Sequence, residues 1–177
     1  AAFYTGQAKT TSLSTVTFTP WFTLNGKFVF PFRNFIWFPD DKYLLKGDTR
    51  FMVYPQYTWG LGDETDNDIK GLIQYDYLRV YQSLLKKVNK EIMIGGGYNF
   101  DYHFQLADET DSATASKIPS YDYYTSHGTI TTSSGPVLNF LIDQRRIAFN
   151  PEKGYYIGFD YRINLEALGS TENWQSI

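Results

Sequence analysis

Two histidines, His103 and His127, are the side chains of this chain best suited to proton transfer near neutral pH, and His127 directly follows Ser126. A hydroxyl becomes a nucleophile when a base lies within hydrogen-bond reach of it. Adjacency in a loop does not supply that geometry, and no carboxylate stands at a spacing that would complete a catalytic set. The run holding Asp63, Glu64, Asp66 and Asp68 offers the hard oxygen ligands that calcium takes. No glycine occupies the sixth position of an EF-hand loop there, so a solvated acidic loop is expected. Cysteine is absent, which removes disulfides and thiolate metal sites. Neither a phosphate-binding loop nor zinc-ligand spacing occurs. The sequence therefore points away from an enzyme and implies no cofactor and no metal.

A second set of polar residues is more orderly. Lys46, Asp48 and Arg50 stand at alternate positions, as do Asn99, Asp101 and His103, and Asp160 and Arg162; Arg33 lies in a similar stretch. The pattern is fullest from Glu91 to Phe104. There Ile92, Ile94, Gly96, Tyr98, Phe100, Tyr102 and Phe104 alternate with Glu91, Met93, Gly95, Gly97, Asn99, Asp101 and His103. A period of two is that of a β-strand, with one stripe on each surface. Three charges in succession on one face are costly in a dry core. They fit a wet, ion-paired lumen, and the sharper alternative is the lining of a selective pathway. Gly95 and Gly97 on this face mark either something packed close against the wall or a bend of the sheet.

These strands are long. A strand in a soluble sandwich usually has about five or six residues, whereas one tilted across a bilayer needs about nine to eleven. Aromatic residues make up 19% of the chain, yet the mean hydropathy is −0.37. No stretch approaches the roughly eighteen apolar residues of a transmembrane helix. A transmembrane β-barrel produces this combination, because alternate residues alone meet lipid. The 177 residues suit one domain, 1–177. A net charge of −3 and a pI near 5.3 argue against a nucleic-acid partner. The chain opens on Ala1, so removal of an upstream segment is expected.

Strands are expected at Ser12 to Leu24, Lys27 to Phe38, Lys42 to Tyr54, Gly71 to Lys86, Glu91 to Phe104, Thr129 to Asp143 and Lys153 to Leu165. Ala1 to Thr5 reads as the tail of one more, giving about eight antiparallel meander strands. Asn25-Gly26 suits a two-residue hairpin turn. Phe28, Phe30, Phe32, Ile92, Ile94, Tyr98, Phe100, Ile157 and Phe159 are assigned to lipid. In the Gly71 strand, Tyr75, Tyr77 and Tyr81 oppose Leu78, Val80 and Leu84, and alternation does not say which stripe faces outward. Connections at Pro39, Val88 and Asn150 are short, whereas Pro55 to Lys70 and Gln105 to Gly128 are long polar loops. Outer-membrane barrels keep short turns on the periplasmic side.

The segment Asp143 to Tyr156 reads Asp-Gln-Arg-Arg-Ile-Ala-Phe-Asn-Pro-Glu-Lys-Gly-Tyr-Tyr. It resembles a motif of the bacterial surface antigen family, the barrel of BamA- and TamA-type outer-membrane proteins. There a strand ends in Tyr-Asp-x-Arg-Asp-Asn, a turn carries Asn-Pro-x-x-Gly, and the next strand opens with aromatics. Tyr57 to Gly62 resembles that family's Tyr-Gly-(Ile/Leu)-Gly segment, Gly95 to Tyr98 its glycine-rich strand, and Leu168 to Ser170 its following loop. The wording is close to Bacteroidetes-type members. The resemblance implies an integral protein of the bacterial outer membrane that assists insertion or translocation of proteins or lipids. It assigns Asp143, Arg145, Asn150, Pro151 and Gly154 to a structural hairpin, with an Asp143–Arg145 ion pair. The alternation itself, read as that of a transmembrane barrel, makes Arg33, Lys46, Asp48, Arg50, Asn99, Asp101, His103, Asp160 and Arg162 lumen-facing.

Arg146 stands where the family has a second Asp, so the ion pairing of that turn is expected to differ. Family barrels have about sixteen strands, and their inward loop with an Arg-Gly-aromatic signature would follow Ile177. The chain is accordingly read as the N-terminal half of a larger barrel, completed by a further segment or a second chain. A passive pore or small structural outer-membrane barrel is the alternative. A second is a soluble lipocalin-like barrel, with the same alternation turned inside out around a ligand.

Overall fold

The computed structural model describes residues 1–59, 70–108, 128–145 and 153–177. The protein is all-β: eleven strands form a single antiparallel sheet. They are β1 (Ala2–Phe3), β2 (Ser14–Phe18), β3 (Trp21–Phe22), β4 (Phe28–Trp37), β5 (Tyr43–Val53), β6 (Gln56–Thr58), β7 (Gly71–Lys87), β8 (Ile92–Asp108), β9 (Thr131–Asp143), β10 (Tyr156–Asn164) and β11 (Trp174–Ser176). The spatial order is β1-β2-β4-β5-β7-β8-β9-β10-β11, with β3 beside β4 and β6 beside β7. Every neighbour in this path is joined through a connection that reverses direction, as a meander requires. Among the described residues, the sheet ends on β1 and β11, each paired on one side. No helix of the described residues is long and apolar enough to cross a membrane.

Proline accounts for two of the expected boundaries that shift. The continuous strand from Ser12 to Leu24 is two pieces, β2 and β3. Pro20 has no N–H, and neither has Pro31 in the partner strand β4, so the ladder breaks where the two lie nearly opposite. Pro55 likewise interrupts β5, but pairing to β7 resumes at once: Tyr54 N donates to Tyr75 O at 3.0 Å, and β6 continues the ladder through Gln56–Ile73. The stretch beginning at Pro55 is thus partly strand, not wholly loop. β8 also runs past Phe104 to Asp108, after a register shift opposite Gln74 and Asp76. Gln105 takes a φ of +54° at that irregularity, consistent with a bulge that adds a residue to one strand.

The two faces of the sheet differ sharply. Cross-strand partners share a face, and the register places Phe30, Phe51, Leu78 and Tyr102 in one row of largely apolar side chains, with Ile36, Leu45, Leu84 and Gly96 in another. Ile94, Phe140 and Phe159 form a third. This face remains uncovered: Phe18, Phe32, Leu84, Ile94, Tyr98, Leu138, Ile157 and Phe159 are all exposed. The opposite face holds the buried hydrophobic residues. Its lower part, near the short turns, is an apolar layer of Leu44, Leu85, Met93 and Leu141, flanked by Phe35 and Trp37.

The Gly71 strand, undecided in the sequence, is settled by register. Tyr77 and Tyr81 lie with Asp101 and Asn99 on the buried face, and Leu78, Val80 and Leu84 lie on the exposed one.

Candidate functional site: a charged concave wall

Lys46 on β5 places its Nζ 3.1 Å from both carboxylate oxygens of Asp160 on β10. Three strands, β7, β8 and β9, lie between them. With strands about 4.8 Å apart, four steps around a flat sheet cover roughly 19 Å, which these two side chains do not reach across. The charged face is therefore concave and the apolar face convex.

Glycine permits this curvature. A Cβ on Gly95 would fall onto the Leu84 carbonyl and the Leu85 Cα of the neighbouring strand, and one on Gly97 onto the Gln82 carbonyl and Ser83. A Cβ on Gly135 would meet the Ile163 carbonyl in the same way. Of the two meanings offered for Gly95 and Gly97, close packing of a separate element or a bend, the contacts are those of a bend: the atoms in the way belong to the adjacent strand.

Across the bend lies a network centred on Asp101, 6% exposed, and Arg162, equally buried. Arg162 Nη1 donates to Asp101 Oδ2 at 2.6 Å and to the Tyr81 hydroxyl at 2.8 Å. Its Nη2 donates to the carbonyls of Ser133 at 3.1 Å and Asn99 at 3.3 Å, and its Nε to Asn164 Oδ1 at 2.9 Å. The guanidinium thus spans from β10 over β9 to β8 and β7 with its donors used. Asp101 also accepts from the hydroxyls of Tyr77 and Tyr81, the latter at 2.6 Å. Arg79 lies 3.4 Å from Asp101 and donates to the Tyr77 hydroxyl at 2.6 Å. Its guanidinium sits 4.4 Å from the centroid of the Tyr81 ring, a cation–π arrangement.

The other expected lumen residues fall on the same face but in separate groups. Asp48 takes a bidentate pair of bonds from Arg50 and lies 3.8 Å from Arg33. Asp160 is held by Lys46 and by Asn139 Nδ2. Asn99 contributes its backbone carbonyl to Arg162. His103 stacks on Tyr77 with ring centroids 4.4 Å apart and lies 5.6 Å from Tyr75; among the described residues it has no hydroxyl partner. Each of these carboxylates is matched by a cation, and among the described residues no nucleophile stands beside a base.

Tyr77, Arg79, Tyr81, Asn139 and Asn164 were missed as members of this wall. Their signal was present: Tyr77, Arg79 and Tyr81 share a face by the period of two. A tyrosine stripe facing a leucine stripe, however, does not reveal which is inside.

At the hairpin, Arg145 donates from Nε to Asp143 Oδ1 at 2.9 Å and from Nη2 to Oδ2 at 2.8 Å. The Arg145 backbone N–H bonds the same carboxylate at 3.0 Å, and the guanidinium rests 4.4 Å from the Tyr156 ring centroid. The expected structural ion pair is present. Gly154 takes a φ of +102°, and a Cβ there would strike the Gln144 carbonyl. Asn150 and Pro151 lie outside the described residues, as do Asp63, Glu64, Asp66, Asp68, Ser126, His127 and Arg146.

One feature of the convex face was not foreseen. Asn34, 5% exposed, and Gln82 meet across Gly47, with Gln82 Nε2 donating to Asn34 Oδ1 at 3.1 Å. Tyr98 and Ser134 pair hydroxyl to hydroxyl at 2.6 Å nearby. The polar atoms in the apolar band thus satisfy one another, as burial away from water requires.

Compared with known proteins, the chain matches no family model, no curated protein and no solved structure.

Proposed function

We propose that this chain forms wall of a bacterial outer-membrane β-barrel of the BamA and TamA type, working without covalent chemistry in the insertion or translocation of proteins or lipids. The observation that carries the membrane part is the polarity of the curved sheet. Its charged face is concave and ion-paired, and its aromatic and aliphatic face is convex and uncovered. A lipocalin-like barrel would require the reverse, with apolar residues lining the inside. An uncovered apolar surface of this extent calls for a partner, and hydrocarbon is the one that accepts a whole convex band. Backbone groups support the same reading, since the antiparallel ladder pairs them internally along the path, as a bilayer demands. The edge strands β1 and β11 need further strands beside them in that setting, from elsewhere in the same polypeptide or from a second chain.

The assembly role rests on the sequence resemblance at Asp143 to Tyr156, supported by the bidentate Asp143–Arg145 hairpin and by a concave wall with no catalytic set among the described residues. Resemblance in fold alone does not fix activity. A passive pore is the competing role, and the apolar layer of Leu44, Leu85, Met93 and Leu141 across one end of the concave face weighs against an open water path.

Two measurements test this. Dilution of the unfolded chain, together with the strands that complete its wall, into phosphatidylcholine vesicles should give a protein that floats with the vesicles and resists protease. A folded, monodisperse protein in buffer without lipid would overturn the membrane reading. Depletion in the native host should lower the levels of other outer-membrane barrels or surface lipids. Unchanged levels of both would remove the assembly role and leave the wall a pore or structural element.

A further inference from the structure

The rim at the short turns carries a charge cluster that the concave network does not use. Lys42, Lys86, Lys87 and Lys90 line one cleft of about 340 Å³ together with Tyr43, Val88 and Asn89. The backbone sets this grouping. Lys87 N donates to Lys42 O at 2.9 Å, Tyr43 pairs with Lys86 across β5 and β7, and Lys90 lies in the turn leading to β8. Lys42, Lys86 and Lys90 are exposed.

Among the described residues, Lys42 is the one member of the four with a carboxylate in ion-pair range, Asp40 at 3.7 Å. The other nearby acids are occupied. Asp41 accepts from the Ser12 backbone N–H at 2.7 Å and from its hydroxyl at 2.8 Å, and Glu91 accepts from Gln144. Lys87 alternates to the concave face, in register with Met93, while Lys42, Lys86 and Lys90 remain exposed at the rim. Like charges gathered there repel one another unless an anion joins them.

The surroundings identify the anion. Lys86 lies on the convex face, in register with Ile94, which is 42% exposed. Phe38 meets Tyr43 edge to face, ring centroids 6.3 Å apart, and Val88 is 63% exposed. Lysines and aromatics at the end of an apolar band are the arrangement of a membrane interface. Basic clefts at such positions take lipid headgroups. We propose that this cleft binds the phosphate headgroup of an anionic phospholipid in the leaflet beside the short turns, with its acyl chains running over Ile94 and Leu84. The inference rests on the bilayer reading above. It adds a specific lipid to what would otherwise be uniform contact with hydrocarbon.

The test uses the chain, closed by the strands that complete its wall and folded into phosphatidylcholine vesicles that carry a trace of spin-labelled phosphatidylglycerol or, separately, spin-labelled phosphatidylcholine. The immobilised fraction of each label is read by electron paramagnetic resonance. The labelled phosphatidylglycerol should be selected several-fold over phosphatidylcholine. Lys42→Gln, Lys86→Gln and Lys90→Gln should each lower the selectivity in part, and the triple variant should abolish it. Lys27→Gln is the control, since Lys27 lies at the opposite rim against the Tyr54 ring, 4.3 Å from its centroid; it should change nothing. Equal immobilisation of the two labels overturns the proposal, as does an equal loss in the Lys27 variant. Full displacement of the label by millimolar inorganic phosphate overturns it too, marking a soluble-anion site. Failure of the completed wild-type barrel to enter phosphatidylcholine vesicles is a different result: it removes the bilayer reading itself, and the lipid site with it.

Discussion

Lys46 and Asp160 touch although three strands separate them, and that contact fixes the sense of curvature of the whole sheet. Their side chains are 26% and 52% exposed, so screening by water leaves the pair a modest energy, about 0.2–1 kcal/mol. A double-mutant cycle with Lys46→Met and Asp160→Asn, read from urea unfolding in detergent micelles, should return a coupling in that range. Zero coupling at low salt would mean that the two strands do not approach, and the concave assignment would fail.

Arg162 is the opposite case, with its side chain 7% exposed and that of Asp101 9% exposed. Removing one partner of a buried ion pair leaves the other uncompensated, at about 3–5 kcal/mol. Arg79 still faces Asp101 from 3.4 Å, which places Arg162→Met near the lower end, about 3 kcal/mol. Arg162→Lys should recover only part of this, because an ammonium cannot serve Asp101, Tyr81, Ser133, Asn99 and Asn164 as the guanidinium fork does. Both variants are compared by the same unfolding titration. An Arg162→Met protein within about 1 kcal/mol of the parent would contradict the buried network.

The polarity of the two faces was legible in the sequence because a period of two survives any tertiary arrangement. Leu45, Ile94, Leu138 and Phe159 separate from Lys46, Asp101, Asn139 and Asp160 by counting alone. Which face curves inward was not legible, since curvature is set by contacts between distant strands, such as Lys46 with Asp160. The same limit left Tyr77 and Tyr81 unplaced, for their partner Asp101 lies on the next strand. The convex amide pair of Asn34 and Gln82 broke the pattern altogether. Each reads alone as a polar intruder, and only the register through Gly47 shows that they satisfy each other.

Placement of the convex face in lipid has a direct consequence. Leu138, 55% exposed on that face, replaced by Arg should lose about 2–4 kcal/mol of folding free energy in vesicles. Thr17→Arg, on the concave face in register with Arg33, should lose less than about 1 kcal/mol, since lumen substitutions are mild by comparison. Equal penalties for the two variants, measured by urea titration in phosphatidylcholine vesicles, would remove the lipid assignment.

Glycines offer the sharpest contrast, because neighbouring positions on one strand predict opposite outcomes. A methyl group at Gly97 would overlap the Gln82 carbonyl and the Ser83 Cα, which are parts of β7 and cannot swing aside. Relieving it requires β7 and β8 to straighten, and that movement would pull Lys46 from Asp160 and Arg162 from Tyr81. Gly97→Ala should therefore cost about 1–3 kcal/mol or more, as overpacking does, and should weaken the Lys46–Asp160 coupling along with stability. Gly96 points to the convex side, where the nearest atom to an added Cβ is the Val137 carbonyl oxygen at 3.4 Å. Gly158 on β10 has nothing nearer than the Tyr156 ring at 3.5 Å. Alanine at either position should be neutral or slightly stabilising, since it restricts the unfolded chain without crowding the folded one. Urea titrations of the three variants, each repeated in the Lys46→Met background, check both parts. If Gly97→Ala is as stable as Gly96→Ala, the tight corner between β7 and β8 is not where the wall bends.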